Sequence, residues 1–152
     1  MNAKQRKFIE KKLIPFILRE KGNGFVMENW VRRLDAGDKQ YIADYGGLEF
    51  DYVMHARPAC DTMACIGGSI QCLTRIKSKR RMAKEVLGLT ADQVDGLFYN
   101  WSGEDGRTGW PKDLVILWDD AKTPLQKARV AVKVLRRVIK TNGACLNPEG
   151  DN

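Results

Sequence analysis

Residues 123–143 read TPLQKARVAVKVLRRVIKTNG, and this stretch decides the fold class. Thr123 and Gln126 have the spacing of a capping box, and Pro124 stands at the first helical position between them. Gly143 is typical of the residue that follows a helix, so the pattern predicts a helix that runs to about residue 140. The apolar residues fall on one arc of that helix, which must therefore face a core: Leu125, Ala128, Ala131, Val132, Leu135, Val138 and Ile139.

The predicted final helix also carries a cationic arc beside its apolar arc. The stretch contains no acidic residue, so no ion pair within the helix relieves the repulsion among the cations. The helix dipole favours cations near the C-terminal end, but it does not account for Arg129 and Lys133 in the middle. Either an acidic neighbour from residues 91–124 packs against the arc, or an anionic partner binds there. On the second interpretation, the candidate binding residues are Arg129, Lys133, Arg136, Arg137 and Lys140.

Further helical patterns precede this stretch. Apolar residues recur at helical spacing over residues 4–20, and Pro15 inside that range predicts a kink. Residues 79–87 form a second helical pattern that stops at Gly88. A third helix begins after Thr90, which opens a capping-box sequence, and a short helix is expected after Asp113.

The middle of the chain is less regular. Residues 25–34 (FVMENWVRRL) are interpreted as a short helix with Phe25 directed inward. Residues 39–59 combine scattered tyrosines with Gly-Gly and charges, and are expected to form a small hairpin or an irregular segment. After them, Asp61 or Thr62 can cap a helix that runs to about residue 76.

Length and composition limit the architecture. The chain has 152 residues, of which 43% are hydrophobic, enough for one domain with its own core. The patterns predict a single all-α domain of about five to seven helices over residues 1–143, followed by a loose tail over residues 144–152. No apolar run approaches the length of about 18 residues that spans a bilayer, so no membrane association is expected. The N-terminus does not resemble a secretory signal, and the four cysteines are expected to be reduced, which favours the cytoplasm.

Three segments resemble a pattern found in small uncharacterised proteins of bacteria and their phages. They are CDTMACIGG at 60–68, LGLTADQVDGLF at 87–98 and TPLQKARVAVKVL at 123–135. The pattern consists of a C-G-T-x-A-C-x-x-G segment that opens a helix, an LGL…LF helix pair and a final alanine-rich helix. Asp61 stands here in place of its glycine. The resemblance implies a mostly helical fold and a bacterial or phage setting, and it implies no activity.

A cluster of thiols and the single histidine offers a possible chemical site. His55, Cys60 and Cys65 are candidate metal ligands, because zinc binds cysteine and histidine. Their spacing fits no strong zinc pattern, so we interpret Cys60, Cys65 and Cys72 as buried structural thiols and expect no cofactor. Alternatively, Cys60 just before a helix start could be a nucleophile with His55 as its base, although Asp61 beside it disfavours the thiolate.

Two tryptophans lie in the glycine-rich stretch 100–111. Trp101 and Trp110 are either plugs of the core or anchors of an interface, because tryptophan serves both roles. The second interpretation makes both of them candidate partner-binding residues.

The charge distribution completes the functional prediction. The formal net charge is +7, and the cations concentrate in residues 1–25, 75–90 and 125–140. We expect a non-enzymatic binding protein that occupies a protein partner or a small anionic ligand. The alternative is a sequence-independent nucleic-acid-binding protein that uses the basic helix faces. A third possibility is a thiol or zinc-dependent enzyme centred on Cys60 and His55.

Overall fold

The computed structural model describes residues 1–23, 25, 31–33, 62–98 and 109–146, and these residues are mostly helical. Six helical rods account for most of these residues, where a rod is one α-helix or a continuous run of α-helix and π-helical turn. The fold class is therefore all-α, as predicted. The helices are α1 (Ala3–Phe8), α2 (Ile14–Leu18), α3 (Ile66–Thr74), α4 (Lys79–Arg81), α5 (Ala91–Phe98), α6 (Lys112–Asp120) and α7 (Pro124–Thr141). The π-helical turn Ile9–Leu13 joins α1 to α2, and the π-helical turn Met82–Leu87 extends α4. The expected hairpin or irregular segment at 39–59 lies outside the described residues.

The N-terminal helix is the continuous rod formed by α1, the π-helical turn and α2. It begins with a capping box in which the Asn2 side chain accepts from the Gln5 backbone at 2.9 Å and the Gln5 side chain accepts from the Asn2 backbone at 2.8 Å. Pro15 cannot donate a backbone hydrogen bond, and the π-helical turn directly precedes it. The helix predicted over residues 4–20 is therefore present from Ala3 to Leu18 with a π-helical turn inside it, and the kink expected at Pro15 stays a prediction.

A short antiparallel ladder replaces two stretches that the sequence predicted as helical. Strand β1 (Val31–Arg33) pairs with strand β2 (Thr62–Ala64), with Arg32 opposite Met63. The helical prediction is therefore wrong for residues 31–33, and the helix expected from residue 61 or 62 begins only at Ile66. A ladder between segments distant in sequence depends on long-range pairing, which local propensity does not reveal.

Helix ends elsewhere follow the sequence signals. Thr90 and Gln93 exchange the two hydrogen bonds of a capping box, and Thr123 and Gln126 do the same at the start of α7. Gly88 ends the rod formed by α4 and its π-helical turn, and it adopts the left-handed conformation with φ of 64°. These ends were predictable because each one depends on residues within four positions of one another.

Helix α7 lies at the centre of the core. Ala128, Ala131 and Leu135 are fully buried, and Val130 and Val134 are buried on a side that the predicted apolar arc did not include. The helix packs against the N-terminal helix, against α6 and against the turn that follows it. More than half of its circumference is therefore covered, at about 100° per residue.

The chain after α7 folds back onto the core. Asn142 and Gly143 adopt left-handed conformations, and Ala144–Leu146 forms a 3₁₀ turn that buries Leu146. Residues 144–146, at the start of the predicted tail, are therefore packed against the core, and the domain boundary expected at residue 143 stays a prediction. The rest of the predicted tail lies outside the described residues.

Within the described ranges, none of the helices combines the length and the apolar character that a membrane span requires.

Gly22 sets the distance between the end of the N-terminal helix and the start of α7. Its φ is 78°, and an added Cβ would lie 2.7 Å from the Pro124 carbonyl oxygen and 2.8 Å from the Ala128 Cβ. We expect Gly22→Ala to lower the free energy of unfolding by at least about 2 kcal/mol, because left-handed strain and overpacking add. Urea denaturation followed by circular dichroism measures this loss.

Lys21 provides the matched control, because it is exposed and also left-handed, with φ of 54°. Lys21→Gly removes a strained side chain and should leave stability within about 0.5 kcal/mol of the parent. If Gly22→Ala were equally harmless, Gly22 would not fix the approach of the two helices.

Candidate functional site

The exposed side of α7 is a narrow row of cations. Since the rest of the helix is buried or half-buried, its exposed residues are only Gln126 and four cations. We call these four the cationic stripe: Arg129, Lys133, Arg136 and Lys140. They recur at intervals of four, three and four residues, so they lie on one face and span about 16 Å at 1.5 Å per residue. The sequence predicted all four.

Arg137, the fifth predicted cation, belongs to a different environment. Its guanidinium donates to both carboxylate oxygens of Asp113 in α6, at 2.6 and 2.7 Å. These hydrogen bonds lower the pKa of the Asp113 carboxyl and raise the pKa of Arg137. The acidic neighbour expected from residues 91–124 therefore exists for Arg137, which acts as a link between α6 and α7.

The cationic stripe has no comparable acidic neighbour in the described part of the chain. None of its four members forms an ion pair with a described residue. Like charges at helical spacing of three and four residues destabilise a helix by about 0.2–0.5 kcal/mol per pair. Within the described part of the chain no acidic side chain relieves this repulsion, and burial elsewhere in α7 offsets its cost.

A second set of exposed cations lies on the N-terminal helix, which runs antiparallel to α7. Gly22 meets Pro124 at one end of the pair, and Arg6 donates to the Asn142 side chain at 2.9 Å at the other. The N-terminal cations are Lys4, Arg6, Lys7, Lys11 and Lys12, and all are exposed. Sequence analysis identified this basic block but not its position, because only tertiary packing brings residues 136 positions apart into contact.

The remaining basic block is partly neutralised within its own surroundings. Lys79 pairs with Asp95 at 2.7 Å, and Arg81 pairs with Glu85 at 2.9 Å. The hydrogen bond from Arg81 lowers the pKa of Glu85. Lys79 and Arg81 thus mainly serve the local packing of α4 with its neighbours.

Trp110, a candidate interface anchor, is a residue of the core. It is 2% exposed, and its indole Nε1 donates to the Leu97 carbonyl oxygen at 2.9 Å. Its ring packs edge-on against Trp118 with centroids 5.3 Å apart, and Trp118 in turn meets Phe25. The core-plug interpretation is the correct one for Trp110, while Trp101 lies outside the described residues.

The described thiols have structural surroundings. Cys65 is buried and caps α3, because its Sγ accepts from the Gly68 backbone at 3.4 Å. Burial raises the pKa of the Cys65 thiol and of the half-buried Cys145 thiol. Cys72 is exposed, so its interpretation as a buried structural thiol is wrong.

The candidate metal and nucleophile site is only partly described. Among the described residues, no three His, Cys, Asp or Glu side chains are grouped closely enough to hold a metal ion. Cys65 lies within that described part, whereas His55 and Cys60 lie outside it. Unlike that site, the cationic stripe lies entirely within the described residues.

Comparison of the chain with protein-family models, curated proteins and solved structures finds no significant match. The resemblance to small bacterial and phage proteins therefore stays a prediction.

The ion pair between Asp113 and Arg137 makes stability depend on pH. Because the folded-state pKa of Asp113 is lowered, its contribution is present above the unfolded pKa of about 3.9 and is lost as the pH falls through the lower folded value. The side chains are 60% and 38% exposed. We expect Asp113→Asn to cost up to about 1 kcal/mol near pH 7 and progressively less in acid.

Urea unfolding at neutral and acidic pH measures this difference. Asp119→Asn in the same helix is the control, because Asp119 is exposed and forms no ion pair with a described residue. Equal losses in both variants at neutral pH would contradict a specific contribution from the pair.

Burial also predicts the order in which the described thiols react. Iodoacetamide near neutral pH should modify Cys72 well before Cys65, because alkylation requires access to a thiolate and Cys65 is buried with a raised pKa. Peptide mass spectrometry after timed quenching gives the two rates, and the denatured protein provides the control in which they should converge. Faster modification of Cys65 in the folded protein would overturn this assignment.

Proposed function

We propose that the protein is a non-enzymatic binding protein of a bacterial or phage-infected cytoplasm, and that its cationic stripe receives an anionic partner. The observation that carries this proposal is the concentration of four exposed cations, and of no exposed anion, on the uncovered face of the central helix. An anionic partner would relieve the repulsion that the described residues leave on this face.

The chemistry of the cationic stripe favours binding over catalysis. Lysine and arginine are donors with a permanent charge near neutral pH, so the stripe offers strong hydrogen bonds to phosphate, sulfate or carboxylate oxygens. General acid–base catalysis requires a group that exchanges its proton near the working pH, and the stripe itself contains none. Its role in the proposal is therefore to hold a partner.

The shape of the stripe favours an extended partner over a small ion. The four side chains start from points along about 16 Å of a helix, so they do not converge on one position. A polyanion with regularly spaced charges can meet all of them, whereas a single small anion would meet only neighbouring members such as Lys133 and Arg136. Of the two expected kinds of partner, a protein and a small anionic ligand, the small ligand is therefore less favoured.

A defined polyanion tests the proposal. Fluorescence anisotropy with labelled heparin oligosaccharide should show binding that weakens steeply between about 50 and 200 mM salt. Lys133→Glu combined with Arg136→Glu should weaken binding at least about tenfold, equivalent to about 1.4 kcal/mol, because two attractive contacts become repulsive. Both residues are exposed, so circular dichroism should show an intact fold.

The matched control reverses two exposed cations elsewhere. Lys77→Glu combined with Arg80→Glu changes the net charge by the same amount, and both residues lie outside α7 and the N-terminal helix. Binding should stay within about threefold of the parent. If both double variants lost binding equally, net charge alone would explain the affinity and the stripe would not be a site.

A further inference from the structure

Resting on the proposed function, we infer that the cationic stripe and the N-terminal cations form one two-row surface that binds the phosphate backbones of double-stranded DNA independently of sequence. The new element is the juxtaposition of two basic segments from opposite ends of the chain. Two contacts, one at each end of the helix pair, establish it: Arg6 with Asn142, and Gly22 with Pro124.

The two helices present their cations on the same outer surface. Ile9, Leu13 and Ile17 of the N-terminal helix are fully buried in the core that also contains Ala131 and Leu135 of α7. Since adjacent helices bury one side in a common core, their exposed sides both face away from it. Lys4, Lys7 and Lys11 recur at intervals of three and four residues, so these three form a row along the N-terminal helix that runs beside the cationic stripe.

The spacing of the rows suits the two backbones of a duplex. Packed helices lie about 8–10 Å apart. The grooves of B-DNA are about 6 Å and 12 Å wide, so long lysine and arginine side chains on two such rows can reach the phosphates on both sides of one groove. Along one strand the phosphates advance by about 3.4 Å, so the roughly 16 Å of the stripe faces about five of them.

The described part of this surface lacks the features that usually mark the binding sites of proteins and of single-stranded nucleic acid. A protein interface has an apolar or aromatic centre with few charges, and single-stranded nucleic acid is bound by stacking on exposed aromatic rings. In the described part of the two helices the aromatic residues Phe8 and Phe16 are half-buried, and Arg19 lies over the Phe16 ring at 3.6 Å. Duplex RNA is recognised largely by the shape of its wide, shallow minor groove and by contacts to its 2′-hydroxyls, which both donate and accept hydrogen bonds, whereas lysine and arginine only donate.

The packing of α7 also explains why the binding would be independent of sequence. A recognition helix enters the major groove and contacts base edges. The N-terminal helix and α6 both pack against α7 and leave only a narrow face exposed. This face can rest on phosphates but cannot enter a groove, and phosphate contacts carry no direct sequence information.

Anisotropy with a labelled duplex of about 20 base pairs tests the two-row surface. The full chain should bind two duplexes of unrelated sequence within about threefold of each other, and more tightly than the single strand, an RNA duplex of the same sequence or polyglutamate. Lys7→Ala with Lys11→Ala should reduce the slope of log affinity against log salt by about 1.8, at 0.9 per lost phosphate contact. Lys133→Ala with Arg136→Ala should reduce it equally. The control Lys77→Ala with Arg80→Ala should leave the slope unchanged.

The outcomes separate this inference from the proposed function. Heparin binding that depends on the stripe, together with an unchanged slope in the Lys7 and Lys11 variant, would overturn the two-row surface and leave the proposed function intact. Equal or tighter binding of the single strand, RNA duplex or polyglutamate would overturn the assignment to DNA. If the folded parent protein bound no polyanion at all, both the two-row surface and the proposed function would be overturned.

Discussion

The close approach of the N-terminal helix to α7 is the constraint on which the rest of the structure depends. Gly22 has no side chain where one would meet Pro124 and Ala128, so the first and last helices can share a core that includes Ile17 and Leu135. Burial of apolar surface contributes about 25 cal/mol per Å², and α7 is covered over more than half of its circumference. The remaining helices pack around this pair and complete the core.

The same packing determines which part of α7 can interact with other molecules. A helix enclosed by neighbours retains only a narrow exposed face, and in this chain that face carries four cations. Arg137, slightly around the helix, reaches Asp113 and links α6 to α7. Arg137 and the cationic stripe thus differ because they point in different directions around the helix. Arg137 faces α6 and forms an ion pair, whereas the stripe faces away from the neighbouring helices.

Much of this arrangement could be predicted from the sequence, because its determinants are local. The capping boxes at Thr90 and Thr123 and the cationic stripe each depend on residues within a few helical turns. The pairing of β1 with β2, the burial of Trp110 and the bond between Arg137 and Asp113 depend on segments that only the folded chain brings together. The exposed cations of α7 were therefore predictable, while the position of the N-terminal helix beside α7 and the ion pair of Arg137 with Asp113 were not.

The contact between the two ends of the chain also has a consequence for biosynthesis. Arg6 and Asn142 are 136 positions apart, so the ribosome releases the N-terminal helix long before its partner exists. At about 5–20 residues per second, this interval lasts roughly 7–27 seconds. During that time Ile9, Leu13 and Ile17 have no α7 to pack against, and the nascent chain exposes an apolar helix face. Completion of the core must therefore await the synthesis of α7, and until then this apolar face is open to chaperones that bind apolar segments.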